Sequence, residues 1–580
     1  MSWLNPKPIR QKLQFGLSLV AVGLMLALLL HWCQAPLLTV QALQPLPQHP
    51  LIQVYSNHNP AHTYREPYRA QTRPGDNLEQ IIVDSIRGAQ STVDLAVQEF
   101  RSPLIAQALR DRSQAGVKIR LVIENTYSRP WSRVTAAEAQ QMDSRQKSRY
   151  RENTRLIDRN ADGILSAEEI NQNDALVVIE RAAIPWIDDR ADGSAGSGLM
   201  HHKFVVIDGQ QVIVTSANFT MSDLHGDFSP KQSLGNANSL VKLQSPAIAQ
   251  LFSEEFNLMW GDGPGGATDS RFGVRKPFRP AQTVAVGDAT VQVKFSPTSA
   301  EIPWELSSNG LIGQTLGTGR KRIDMALFVF SDQHIVNALE AVAQKGAAIR
   351  VLIEPTFAFQ YFSEALDMLG VALPVRTKAI APVEDPVPDA SAPLQNRHNP
   401  CRTEADNHPW RNPMTSVGVP QLPPGDLLHH KFGLVDQHTV ITGSHNWTEA
   451  ADRNNDEAVL VIDHPTVAAH YEREYERLWA TSRLGLPSEV QTATAAFRQS
   501  CSALSAGSTR PSAAPSPSTR INLNTATQAE LEQLPGVGPK LAQRMIAARE
   551  KEPFRSLADV DRVPGVGKKL LQEISDRITW

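Results

Sequence analysis

The stretch HHKFVVIDGQQVIVTSANFT, His201 to Thr220, decides the fold reading. It begins with two histidines and a lysine, continues as an apolar run rich in valine and isoleucine, and ends in Ser, Ala and Asn. HHKFGLVDQHTVITGSHNWT, His429 to Thr448, repeats it. Side chains alternate along a strand, so His201 and Lys203 share one face while His202 and Phe204 share the other. A DG turn at Asp208 brings back a second strand, QVIVTSAN, and with it Ser216 and Asn218. His429, Lys431, Ser444 and Asn446 recur at the same spacing, with Asp436 at the turn. Each hairpin thus gathers an imidazole, an ammonium, a hydroxyl and an amide. Two lysines neutralise phosphate oxygens, the Ser and Asn donors hold the remaining charge of a five-coordinate transition state, and two imidazoles divide the nucleophile and proton roles. This chemistry needs no metal or other cofactor.

Outward from the hairpins the duplication continues. STVDLAVQEFRSPLIAQALRDRSQAGVKIRLVIE (Ser91 to Glu124) and KRIDMALFVFSDQHIVNALEAVAQKGAAIRVLIE (Lys321 to Glu354) share strand, helix, Gly and strand, with Gly116 answering Gly346 and Arg120 answering Arg350. Apolar helix positions at three- and four-residue spacing (Leu104, Ala108; Ile335, Leu339) predict βαβ units and sheets covered by helices. Trp260 answers Trp479. The fold class is therefore α/β, with two related α/β/α halves at residues 51–265 and 288–482. Pairing Pro185 with Pro374 places one insertion at about 126–180 in the first half and another, a Pro- and Asn-rich loop at about 379–425, in the second, where it reads as an active-site lid.

HHKFVVID…TSAN and HHKFGLVD…GSHN resemble the HxKxxxxD and GSxN signature of the phospholipase D superfamily across most of residues 51–480. The resemblance implies a pseudo-two-fold enzyme with both motifs at one site, a phosphohistidine intermediate and metal-independent cleavage of a phosphodiester. Thr215 departs from the glycine that Gly443 supplies. Asp208 and Asp436 belong to the signature, and their place at the turns reads as structural. Eleven residues after Asn446 stands Glu457, where the first copy has Asn238. In superfamily nucleases this position resembles a carboxylate that orients the catalytic imidazole. That reading assigns Glu457 to His429 as nucleophile and leaves His201 as general acid, with Asp227 as a substitute carboxylate.

The chain has 580 residues, a net charge of −3 and 41% hydrophobic residues, so it exceeds one core and shows no global basic excess. At the start, Lys7, Arg10 and Lys12 precede an apolar run from Phe15 to Leu30, and a small-residue site ends at Ala42. Residues 1–42 read as a signal peptide or a membrane anchor, the cleaved export signal being favoured over the retained anchor, and the protein as extracytoplasmic, periplasmic or secreted. Cys401 and Cys501 are then either a pair in an oxidising compartment or two unrelated thiols.

Residues 483–520 become a Ser/Ala/Pro linker, and 521–580 carry LPGVGPKLA and VPGVGKKLL. These turns and the INLNTA lead-in resemble the all-α tandem helix-hairpin-helix module of bacterial competence DNA receptors. Gly536, Gly538 and Lys540 in one turn, and Gly565, Gly567, Lys568 and Lys569 in the other, are its candidate phosphate contacts. Nine Lys/Arg against eight Asp/Glu leave the module only +1 (9 − 8), so binding should be loose and salt-sensitive.

The module favours DNA as substrate over phospholipid headgroups, with a non-catalytic DNA-binding envelope protein third because both motifs are intact. Nothing in the sequence requires a protein partner. The first insertion contains DRNADGILSAEE, which matches a calcium-binding EF-hand loop: Asp158, Asn160, Asp162, the Ile164 carbonyl, Ser166 through water, and bidentate Glu169. It predicts one structural Ca²⁺ bound at roughly 10⁻⁴ to 10⁻³ M.

Overall fold

The structure, a computed structural model, describes residues 43–190, 198–375, 401, 403–404, 406–506 and most of 521–579. The export segment, the centre of the Pro/Asn-rich insertion and the end of the linker lie outside these residues. Contacts divide the chain into two compact units, Met1–Arg498 and Gln499–Trp580.

The first half of the larger unit carries strands β1 (Ile52–Ser56), β2 (Thr92–Val97), β3 (Lys118–Ile123), β4 (Trp186–Asp188), β5 (Lys203–Ile207), β6 (Gln211–Thr215) and β7 (Ser239–Gln244). They form a seven-stranded sheet in the order β1-β7-β6-β5-β2-β3-β4. The second half carries β8 (Gln282–Val286), β9 (Ala289–Ser296), β10 (Arg322–Leu327), β11 (Ala348–Ile353), β12 (Val417–Val419), β13 (Lys431–Val435), β14 (Thr439–Gly443), β15 (Glu457–Asp463) and β16 (Arg483–Leu484). Its nine-stranded sheet runs β8-β9-β15-β14-β13-β10-β11-β12-β16. The expected βαβ units are present: β2 pairs parallel with β3 around helix Pro103–Gln114, and β10 with β11 around helix Gln333–Gln344.

The halves share a core rather than forming two domains. Helices Pro246–Trp260 and Pro465–Trp479 lie in one hydrophobic cluster that draws Phe204, Phe252 and Phe256 from the first half and Val291, Phe432 and Tyr471 from the second. The repeated arginines explain the repeated tryptophans. Arg120 bonds Asp94 at 2.7 Å and lies over the rings of Phe256 and Trp260; Arg350 bonds Asp324 at 2.6 Å and lies over Tyr475 and Trp479. A guanidinium stacked on two rings covers apolar surface while its charge is paired.

Two expectations are corrected. The partner of the strand beginning at Trp186 is Val417–Val419, not the segment at Pro374, because each adds parallel to the outer βαβ strand. Trp186 follows Ile123 by 63 positions (186 − 123) and Val417 follows Ile353 by 64 (417 − 353), so the copies carry connections that differ by one residue at the same place. The described end of the second insertion is therefore sheet and core, with Trp410 buried, and not a lid. The linker assigned to 483–520 opens with strand β16 and helix Ser488–Ala506. Cys401 and Cys501 are both disulfide-bonded.

The smaller unit has its own core of Leu523, Leu531, Leu541, Met545, Phe554, Val560 and Ile574, with helices Pro539–Lys551 and Leu557–Asp561.

Candidate active site

The two hairpins meet where the halves join. The backbone just before each first histidine bridges the other half: Met200 pairs with Asp456 and Ala237 with Leu428, and His201 N donates to Asp456 O while His429 N donates to Ala237 O. Buried carboxylates hold the same segments from within, Glu124 accepting from Met200 N and Glu354 from Leu428 N. Both glutamates close the repeated βαβ stretches, a signal the sequence carries at matched positions.

This cross-stitching reverses the expected pairing of imidazole and orienting group. Nδ1 of His201 lies 2.7 Å from Oε2 of Glu457, and Nδ1 of His429 lies 3.0 Å from Oδ1 of Asn238. Each histidine is oriented by the residue that follows the other half's hairpin, so Glu457 supports His201, not His429. Strand parity reads which face a side chain takes but not which half supplies its neighbour. The substitute carboxylate is also different. Asp223, not Asp227, stands behind His429, its Oδ1 3.7 Å from Nδ1 and bonded by Asn238 Nδ2. Asp227 bonds Ser222 Oγ.

Lys203 Nζ donates to the His201 carbonyl and to Gln98 Oε1, and Lys431 Nζ donates to the His429 carbonyl, so each ammonium is tied to its own motif. Burial, followed by the two lysines, holds both histidines well below the ordinary imidazole range. Burial likewise pushes Lys203 down to about 8 and Lys431 down to about 7. Glu457 is raised, again chiefly by burial. The mutual effects of His201, His429, Lys203 and Lys431 mark one cluster.

Ser216 Oγ donates to Asn238 Oδ1 and accepts from Ser239 N, and Ser444 Oγ accepts from Ala458 N, so both hydroxyls brace the strands beside the orienting residues. The amide oxygens of Asn218 and Asn446 are buried without a partner, matched orphans at the ends of both hairpins. Thr215 replaces glycine without strain because its hydroxyl bonds Ser239 O. At Gly443 (φ +139°) a Cβ would meet Ala458 O at 2.1 Å.

Asp208 and Asp436, the aspartates of the signature, hold backbone rather than the site. Asp208 accepts from the backbone of Gln90, Ser91 and Thr92, and Asp436 from that of Arg320, Lys321 and Arg322. They secure the opposite ends of the strands from the histidines.

The EF-hand-like loop lies between helices Ser144–Ile157 and Ala167–Asn173. It turns at Gly163 (φ +81°), Asp158 accepts from Ala161 N and Gly163 N, and Asp162 accepts from Ile164 N. Asn160 Oδ1 accepts from Asp162 N. Glu169 accepts from Ser166 N and Oγ and from Arg159 N and Asn160 N, closing the loop end to end. An oxygen-only donor set on a loop already turned at its glycine fits a hard cation. Among the described residues, a further group of ligand types converges at His49, Asp288 and His464. There Nδ1 of each histidine accepts from a backbone N–H, of Leu51 or Thr466, which leaves both Nε2 protons directed at Asp288. In the helix-hairpin-helix unit, Gly536, Gly538, Gly565, Lys568 and Lys569 and the side chain of Lys540 lie outside the described residues, and Gly567 is exposed.

Residues 516–579 match the helix-hairpin-helix motif family, and residues 82–260 and 312–479 match the family described as cardiolipin synthase, PLD-like domain. The mitochondrial cardiolipin hydrolase of Xenopus laevis is 26% identical over 209 residues, 35% of this chain and 78% of that protein. Among solved structures, phosphatidylserine synthase from Haemophilus influenzae Rd KW20 is 12% identical, covering 80% of this chain and 96% of that one with a TM-score of 0.45. Nuc from Salmonella typhimurium, a phospholipase D family member, is 20% identical over 34% of this chain and 100% of its own, with a TM-score of 0.23. The two family matches span more than half of the chain, each contains one whole histidine–lysine hairpin, and the chain belongs to the phospholipase D-like family of phosphodiesterases.

Proposed function

We propose that the protein hydrolyses DNA phosphodiester bonds and that His201 is the nucleophile. The observation that carries the assignment is the crossed contact: of the two motif histidines, His201 has a carboxylate directly on Nδ1 and His429 an amide oxygen. With that proton held toward Glu457, Nε2 of His201 presents its lone pair. It attacks phosphorus, and the phosphohistidine cation gains the adjacent negative charge. Binding of the phosphodiester anion beside His429 lets its Nε2 take up a proton, and the bond to the leaving oxygen breaks as that proton is delivered. In the second step water gives a proton to His429 and attacks phosphorus, breaking the P–N bond and freeing His201. Lys203 and Lys431 balance the phosphoryl charge, aided by the Asn218 and Asn446 amides.

The helix-hairpin-helix match supports DNA. A second reading, a phospholipase acting on anionic headgroups, draws on the relatives named cardiolipin hydrolase. Purified full-length protein, given single-stranded and plasmid DNA and cardiolipin vesicles in EDTA, distinguishes them. DNA cleavage is expected, and lipid turnover without DNA cleavage overturns the proposal.

The same reading places the protein outside the cytoplasm, where the disulfide state of Cys401 and Cys501 is sustained. It assigns one structural Ca²⁺ to the loop from Asp158 to Glu169. Calorimetry with Asp158→Ala should abolish a Ca²⁺ binding event seen in the parent; unchanged binding sinks that site.

A further inference from the structure

The two half-sites differ at one matched position beside the lysines. Gln98 and Phe328 each follow the last residue of the strand that pairs with a catalytic lysine, Val97 against Lys203 and Leu327 against Lys431. Their amides make the same bond, Gln98 N to His202 O and Phe328 N to His430 O. The side chains diverge. Gln98 is buried and accepts from Lys203 Nζ at 3.2 Å, and its neighbour Glu99 binds Arg101 and Arg149. Phe328 is only partly buried. Its ring meets His429 edge-on at 4.8 Å, carries Lys431 Nζ 4.8 Å from its centroid, and abuts partly exposed Phe357 at 4.9 Å.

We propose that Phe328, backed by Phe357, is a stacking platform for an unpaired nucleobase on the leaving-group side of the scissile phosphate, so that the site prefers single-stranded DNA. The inference rests on the DNA reading above and deepens it. Any group resting on Phe328 lies within about one ring width of the phosphate-binding ammonium. A nucleobase meets that constraint because it hangs from the sugar that bears the phosphate, whereas acyl chains lie beyond the glycerol backbone. Across the site the matched position offers an amide on Lys203, followed by a carboxylate, Glu99, paired with two guanidiniums, a polar wall with no ring to stack on. A base within a duplex has both faces occupied, so a platform this close to the reacting atoms selects strands whose bases are free.

The experiment compares full-length protein with Phe328→Leu and Phe328→Trp on a short single strand, the same strand abasic at the leaving-group nucleoside, and its duplex. For the parent, the abasic change and the duplex should each raise KM about tenfold, the order of one base–aromatic stack. Phe328→Leu should raise KM for the intact strand by about the same factor and be indifferent to the abasic change, because both remove one contact. Phe328→Trp should restore the discrimination, which a purely structural role for the ring would not require. If Phe328→Leu remains as sensitive to the abasic change as the parent, the platform is overturned and DNA cleavage stands. If the parent cleaves no DNA, the functional reading falls and the platform with it.

Discussion

The first and second half-sites are built from the same hairpin, yet His201 faces a carboxylate and His429 faces an amide. A duplicated site on a pseudo-two-fold axis offers two equivalent nucleophiles. A single-residue difference, Glu457 against Asn238, breaks the equivalence. The teaching is that the asymmetry of each histidine is written in the opposite half. Asp223, one hydrogen bond further back, keeps negative charge near His429 without touching its ring. This suits a group that takes up a proton and releases it rather than one that bonds to phosphorus.

The largest test of that division is His201→Ala, which should lower kcat by about 10⁴-fold or more, as removal of a nucleophile acting within a unit does. In the matching His429→Ala variant, quenched reactions with a labelled diester should leave the label on the peptide containing His201. Label on the His429 peptide in the parent would invert the assignment. Next, Glu457→Gln should cost about 10- to 100-fold, the range for loss of a group that orients a catalytic histidine. Asn238→Asp should do far less harm to kcat and should shift the pH profile by holding a proton on His429. Equal losses in the two variants would erase the comparison.

A smaller effect concerns the lysines. Burial brings Lys431 down to about 7 and Lys203 down to about 8, so the free site loses positive charge as pH rises through that window. An anion binds the protonated forms, hence competitive inhibition by inorganic phosphate should be strongest below pH 7 and weaken severalfold by about pH 9. Binding at neutral pH should take up protons from the buffer; inhibition constant across pH 6–9 would contradict the depressed lysines. Smallest in its effect on catalysis is Asp436→Ala. It removes the acceptor for three backbone N–H groups far from the histidines, so melting should register about 1 kcal/mol or more of lost stability while kcat holds.

Much of this was legible in the sequence because the hairpins are local. Strand parity puts His201 with Lys203, and the turn returns Ser216 and Asn218, using only a few neighbouring residues. Glu457 was visible as an orienting carboxylate, but its client was not, since the contact joins positions 256 apart and depends on how the halves dock. The same limit misplaced Val417–Val419: a three-residue strand between long connections carries no register of its own, and Pro374 was a false landmark. Phe328 lies within the stretch KRIDMALFVF, where an aromatic carries no mark that separates it from the apolar strand residues beside it. Its counterpart Gln98 was the available clue, because a polar residue and an aromatic at matched ends of a repeat have no common packing reason.

The bridges that join Met200 to Asp456 and Ala237 to Leu428 also govern when activity can appear. Each catalytic histidine is fixed by backbone contacts between positions 256 (456 − 200) or 191 (428 − 237) apart, and closing such distant pairs is slow compared with forming a hairpin or a βαβ turn. During synthesis the first half can fold its local elements while His201 has neither its bridging strand nor its carboxylate. Only after the segment through Glu457 has left the ribosome can the nucleophile be oriented, so the nascent chain passes most of its synthesis with an unfinished site.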